Sequence, residues 1–189
     1  MNTPAHIAAS LLFWRKEPGW SAAAAVTAGA ILPDLPMFGF YAYQKANETS
    51  ENKIWSELYF HENWQLLFDI FNSIPAAFAL TILFQLLNFR IGSLLMASAL
   101  LHMVCDFPVH NDDAHRHLIP FSNWRFLSPV SYWDPKHFGG IFVWFELVFA
   151  ISSCSFVAFR SDQLPMRVVS CCTLAVYFLF ICFAVYFWL

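Results

Sequence analysis

Charge is what this 189-residue sequence has least of: Asp, Glu, Lys and Arg make up only 12% of it, about half the share usual in a soluble domain. With 59% hydrophobic residues and a mean hydropathy of +0.53, so few charges cannot cover a globule in water. Lipid is expected to cover much of the surface instead. The ten Lys and Arg are scattered and the net charge is -3, which gives no basis for a nucleic-acid partner. The five cysteines form no CxxC pair, and Cys154, Cys171, Cys172 and Cys182 lie inside apolar runs. Neither a disulfide framework nor a zinc ribbon is therefore expected. The first apolar run ends in Arg15 and Lys16, the reverse of the charge order of a cleavable signal peptide.

Long apolar runs dominate what is there. Crossing hydrocarbon takes about 20 mostly apolar residues in a helix, and five windows qualify, approximately 20–43, 64–88, 91–107, 139–159 and 168–189. The sequence predicts an all-α, single-domain membrane protein over residues 1–189. An N-terminal half-helix, Pro4 to Trp14, is too short to span, and Thr3-Pro4 suits its start. Pro33 and Pro36 bracket Asp34 and are expected to break the first span. Arg15, Lys16, Arg90, Arg160 and Arg167 fall in short turns on one side, which the positive-inside rule makes cytoplasmic. The segments 44–63 and 108–138 then face outward, and an odd span count puts Leu189 outside. Trp20, Trp55, Tyr59, Trp64 and Trp188 suit the interfacial belts.

Ionisable groups inside a membrane are costly and need a partner or a function. At 1.5 Å of rise per residue from the cytoplasmic turns, His6 lies about 13 Å up, Asp34 about 22 Å, His102 and Asp106 about 18 and 24 Å, Glu146 about 21 Å and Asn72 about 27 Å. Different segments thus lift polar groups to one slab in the outer half of the bilayer. His102 and Asp106, four apart on a helix, face the same way and can share an ion. Imidazole with carboxylate suits Zn²⁺, Mn²⁺ or Fe²⁺. A buried His–carboxylate hydrogen bond gives the same spacing without a metal.

Just above the slab, His110, Asp112, Asp113, His115, Arg116 and His117 crowd into eight residues. The segment continues through Pro120, Trp124, Arg125, Pro129, Tyr132, Trp133 and Pro135, rigid and aromatic residues that suggest an ordered cover over a site. Arg116 and Arg125 are candidates to hold an anionic substrate group such as phosphate; contact with anionic headgroups explains them equally well.

Thr3-Pro4-Ala5-His6, Leu32-Pro33-Asp34 and Leu101-His102 with Asp106 resemble the signatures of the YdjM-type membrane-bound metal-dependent hydrolases. The run from His102 to Pro135 resembles an uncharacterised bacterial inner-membrane subfamily, and the likeness extends to about Phe145. The order of His and Asp is also distantly similar to zinc-dependent phospholipase C. The resemblance implies His6, Asp34, His102 and Asp106 as metal ligands and a metal-dependent hydrolase acting on a lipid-linked or phosphorylated substrate. Family members usually carry His-Ser where Asn72-Ser73 stands here, so either His61 or His110 substitutes or the metal site is altered. Glu146, Asp113 or His115 are candidate general bases, with His110 and His117 as further candidates for ligation. A small metal-ion or proton transporter and a non-catalytic metal-binding protein are the alternatives. The apolar cytoplasmic halves of the spans favour a site open to one side, as a hydrolase requires.

Overall fold

The computed structural model describes the backbone of residues 1–188 and the side chains of residues 1–182. Leu189 and the Trp188 side chain, for which the sequence makes expectations, lie outside the described residues. Every regular element among the described residues is helical. Pro4 opens α1 (Thr3–Phe13) within its first turn, where a missing N–H leaves no bond unmade. Helix α1 buries Ala5, Ala8, Ala9 and Ser10, small residues that let it lie close to its neighbours.

Helix α2 (Trp20–Ile31) runs through a single 3-10 turn, Leu32–Asp34, into α3 (Leu35–Ala46). The expected break at Pro33 and Pro36 is thus milder than the sequence suggests. Both prolines fall in first turns, so the path tightens without unwinding. Helices α4 (Glu51–Ser56), α5 (Glu62–Phe71), α6 (Ile74–Leu86), α7 (Arg90–Asp106), α8 (Gly139–Arg160) and α9 (Leu164–Trp188) follow. The sequence does not anticipate the interruption between α5 and α6. Ser73 caps α6 there by accepting a hydrogen bond from the Ala76 N–H, with proline in the first turn.

Four helical stretches, Trp20–Ala46, Glu62–Leu86, Gly139–Arg160 and Leu164–Cys182, are long and apolar enough to cross a membrane. The window expected as a third span, 91–107, is the helix α7, which at 17 residues is shorter than these four and is not among them.

Close packing of α2 on α7 fixes the centre of the molecule. Ser98 on α7 donates to the Val26 carbonyl at 2.6 Å and lies 2.9 Å from the Ser10 hydroxyl of α1. One end of the bundle is filled by Leu11, Ala22, Ala23, Ala25, Val26, Leu94, Val157 and Met166. At the other end, Phe40, Ile54 and Phe68 tie α3, α4 and α5 into an aromatic-rich cap. The segment 107–138 is pinned beside this cap at two places. Ile74 N–H donates to the His117 carbonyl at 2.9 Å, and Ser73 donates to the Ile119 carbonyl. Further along, Ser128 and Tyr132 N–H groups donate to the carbonyls of His110 and Val109, each at 2.9 Å.

Candidate metal centre

Helix α7 carries His102 and Asp106 one turn apart on its inward face, both about 1% exposed. Helix α1 brings in His6, equally buried. The His6 and His102 rings stack with centroids 3.5 Å apart and planes within 12°. His6 Nε2 stands 2.9 Å from Asp106 Oδ1, and His102 Nε2 stands 2.9 Å from Asp106 Oδ2. One ligand atom from each of these three residues lies within 4.8 Å of the others, and the group could hold a metal ion. Asp34 stands a step outside it, with Oδ1 3.5 Å from His102 Nε2 and Oδ2 accepting a hydrogen bond from the Thr3 hydroxyl. The Met1 amine pairs with Asp106 Oδ1.

The tautomer of His102 favours a cation. Its Nδ1 lies 2.7 Å from the Ala30 carbonyl; a carbonyl can only accept, so Nδ1 carries a proton and donates it. In the neutral ring, Nε2 is then a bare lone pair facing the lone pairs of Asp106, and it makes no hydrogen bond. Two acceptors this close are stable only with a positive charge between or upon them. Carbonyl contact on the far nitrogen is also how metal-ligating histidines are ordinarily held. The donor set of two imidazoles and a carboxylate therefore suits a metal ion.

Around this group the outer segment supplies a second tier. His110 sits between two carboxylates, with Nε2 3.4 Å from Asp106 Oδ1 and Nδ1 2.9 Å from Asp113 Oδ2. Burial opposes charge on His110, but Asp106 and Asp113 outweigh it and hold its pKa up at about 9. Asp113 Oδ2 also accepts from the Trp133 indole at 3.2 Å, while Oδ1 is buried with no partner. Asn72 is oriented unambiguously: its Nδ2 donates to the carbonyls of Pro33 and Phe68, at 3.3 and 3.0 Å. Its Oδ1 is left buried and unpartnered.

These groups border a cavity of about 950 Å³. Asp34, Asn72, His110, Asp112, Asp113 and His115 form its polar side, and Met37, Phe38, Trp55, Tyr59 and Phe60 its apolar one.

Several residues that the sequence marks as candidates sit elsewhere. Arg116 and Arg125 turn away from the cavity onto Asp69, a fully buried carboxylate whose Oδ1 also accepts the Arg116 N–H at 2.9 Å. A buried carboxylate claims the nearest guanidinium groups because its desolvation is otherwise uncompensated. Glu146 is held by the Asn2 backbone and side-chain amides, at 3.1 and 2.7 Å, at the start of α1, where a helix N-terminus favours negative charge. His61 is exposed at the start of α5, so of the two histidines that could stand in at position 72 only His110 reaches Asp106. His117 Nδ1 donates to the Asn72 carbonyl at 3.0 Å; His115 does line the cavity, and its Nδ1 lies 3.5 Å from Asp69 Oδ1.

Asp69 is a site-forming residue that motif reading missed. The signal available was its single carboxylate one turn before the Asn72-Ser73 interruption. Comparison with family models, curated proteins and solved structures finds no match.

Proposed function

We propose that this chain is an integral membrane protein of the YdjM type that hydrolyses a lipid-linked or phosphorylated substrate with the help of one divalent ion, Zn²⁺, held by His6, His102 and Asp106. The observation that carries the reading is the convergence of two stacked imidazoles on one buried carboxylate, beside a large cavity. Three protein ligands with an open position are the usual arrangement of a catalytic rather than a structural zinc site. Asp34 adds charge at 3.5 Å and orients Thr3. When bound, the ion supplies Lewis-acid polarisation of the scissile group and activation of water. Asp113 lines the cavity, with Oδ2 held by the Trp133 indole and Oδ1 buried without a partner, and is the candidate general base.

In this reading the bundle lies in the bacterial inner membrane. Helix α7 is a fifth and nearly upright span, and the cavity faces outward, as the Arg15, Arg90 and Arg160 turns require. Among the described residues, apolar packing around Val26, Leu94 and Val157 fills that end of the bundle, which favours a hydrolase over a transporter. Purified protein should retain stoichiometric zinc and cleave a generic phosphodiester such as bis-p-nitrophenyl phosphate. His102→Ala and Asp106→Asn should lose both the zinc and the cleavage. Full zinc content in both variants would refute the ligand set, and zinc without cleavage of any ester would leave a metal-binding protein that is not a hydrolase.

A further inference from the structure

We propose that residues 118–127 of the outer segment are seated inside the bilayer, re-entering it beside α5 and α7 with Leu118, Phe121 and Leu127 turned to lipid acyl chains. Such seating rests on the membrane reading of the bundle and adds a lipid contact outside the long helices. Depth is the first observation. The segment is pinned to the break between α5 and α6, where the His117 carbonyl accepts the Ile74 N–H and the Ile119 carbonyl accepts the Ser73 hydroxyl. That break lies halfway along the apolar stretch Glu62–Leu86. Ile74 packs against Ala77, Ala99 and Met103, and Met103 is thirteen residues beyond Arg90 at the start of α7, a rise of about 20 Å. Hydrocarbon is about 30 Å thick. The pinned carbonyls therefore sit roughly 10 Å below its outer boundary.

Composition is the second observation. From Leu118 to Pro129 the one charged residue is Arg125, and it turns inward, with Nη2 3.5 Å from Asp69 Oδ2. Phe121 is 83% exposed and Leu127 62%, and Leu118, Pro120 and Trp124 are exposed in the same stretch. In water an apolar patch of this kind is a liability. The other outer segment is built differently. Lys45, Glu48, Glu51, Lys53 and Glu57 are all exposed there, as residence in water requires.

The third is how the stretch is held. Irregular backbone survives at membrane depth only where its polar groups are covered. Besides the two pins, the Leu118 carbonyl accepts the N–H groups of Phe121 and Ser122, at 2.8 and 3.1 Å, and Ile119 N–H donates to the Arg116 carbonyl at 3.2 Å. Phe126 stacks on Phe107, just past the end of α7, with centroids 4.8 Å apart. The helices that hold the segment expose apolar residues as well: Ile70 of α5, a turn before the pin, and Val104 of α7, a turn before Phe107. The charged groups close to them, Asp69 and Asp106, are buried. A protein interface ordinarily ends in a polar rim, whereas this surface passes from segment to helix without an exposed charge, which selects hydrocarbon as its partner.

The experiment is thiol labelling of the full-length protein in phosphatidylcholine vesicles, with a charged maleimide present on both faces. Phe121→Cys and Leu127→Cys are compared with Asn52→Cys, at an exposed position of α4, and wild type supplies the background of the native thiols. Maleimide reacts with the thiolate, which hydrocarbon disfavours, so the first two variants should label at least about tenfold more slowly than the third. All three should label alike once unfolded in dodecyl sulfate. Labelling of Phe121→Cys and Leu127→Cys as fast as that of Asn52→Cys would overturn the proposal. Phe121→Trp identifies what covers the position: the emission it adds should be quenched by phosphatidylcholine brominated on its acyl chains. Slow labelling without that quenching would mean that a second copy of the chain covers the patch, and would overturn the proposal too. Fast labelling in protein that resists alkaline extraction from the vesicles defeats this inference alone; release of wild type by alkaline extraction defeats the membrane reading itself.

Discussion

A Cβ placed on Gly29 would lie 2.1 Å from the carbonyl oxygen of Leu95 and 2.8 Å from the Ser98 Cβ. This glycine is the point at which α2 meets α7 backbone to backbone. One residue further on, the Ala30 carbonyl reaches His102 Nδ1 at 2.7 Å. The absence of one methyl group in the packed core thereby sets the tautomer of the histidine at the candidate centre.

Gly29→Ala is expected to push α2 from α7 and weaken that hydrogen bond. Overpacking of this kind costs about 1–3 kcal/mol, and loss of an outer-shell partner typically reduces metal affinity about tenfold or more. Thermal unfolding and zinc titration of the variant in detergent would read both effects. An unchanged zinc affinity would separate the helix contact from the site.

Asp106 and Asp34 are expected to differ in weight. Asp106 contacts both imidazoles at 2.9 Å, whereas Asp34 lies 3.5 Å from one of them. Asp106→Asn should abolish zinc binding; Asp34→Asn should weaken it by about a factor of ten to a hundred, the range typical of a supporting group. Competition with a chromophoric chelator measures both, and equal losses would contradict the ranking.

Asp69→Asn should leave Arg116 and Arg125 without their buried counter-charge. Breaking a buried pair costs several kcal/mol, and partial exposure of both arginines lowers the expected loss to about 2 kcal/mol. The outer segment should loosen first, because Asp69 ties it to α5 through both the backbone and the side chain of Arg116. Faster tryptic cleavage after Arg116 and Arg125, with the rest of the chain still protected, is the expected result.

Stability should fall on mild acidification through His117, which lies in the outer segment. Burial, helped by neighbouring His115, pushes its pKa down from 6.5 to about 4. The folded chain therefore binds this proton less readily than the unfolded chain. Its contribution is complete above pH 6.5 and is withdrawn as pH falls from about 6.5 to about 4. His117→Asn, which keeps a donor for the Asn72 carbonyl, should flatten the dependence of the unfolding temperature on pH over that window. An unchanged slope would assign the acid sensitivity elsewhere.

The sequence by itself determined what depends on near neighbours. The apolar runs specify helices long enough for a bilayer, and the four-residue step from His102 to Asp106 puts both on one helical face. Rise per residue brings His6 and Asp34 to their level before any contact is known. Even the cap at Ser73 was written locally, in a serine two residues before a proline, although the length of the apolar run concealed it.

Only the tertiary structure decided which partner each charge takes. Arg116 and Arg125 could serve an anionic substrate as readily as a carboxylate, and Asp69, 47 residues from Arg116, claims them once α5 and the outer segment pack together. His110 rather than His61 reaches Asp106, and Glu146 is taken by Asn2. Periodicity fixes the direction in which a side chain leaves its own helix. The choice among distant partners belongs to packing, because the desolvation that drives pairing exists only after the helices have met.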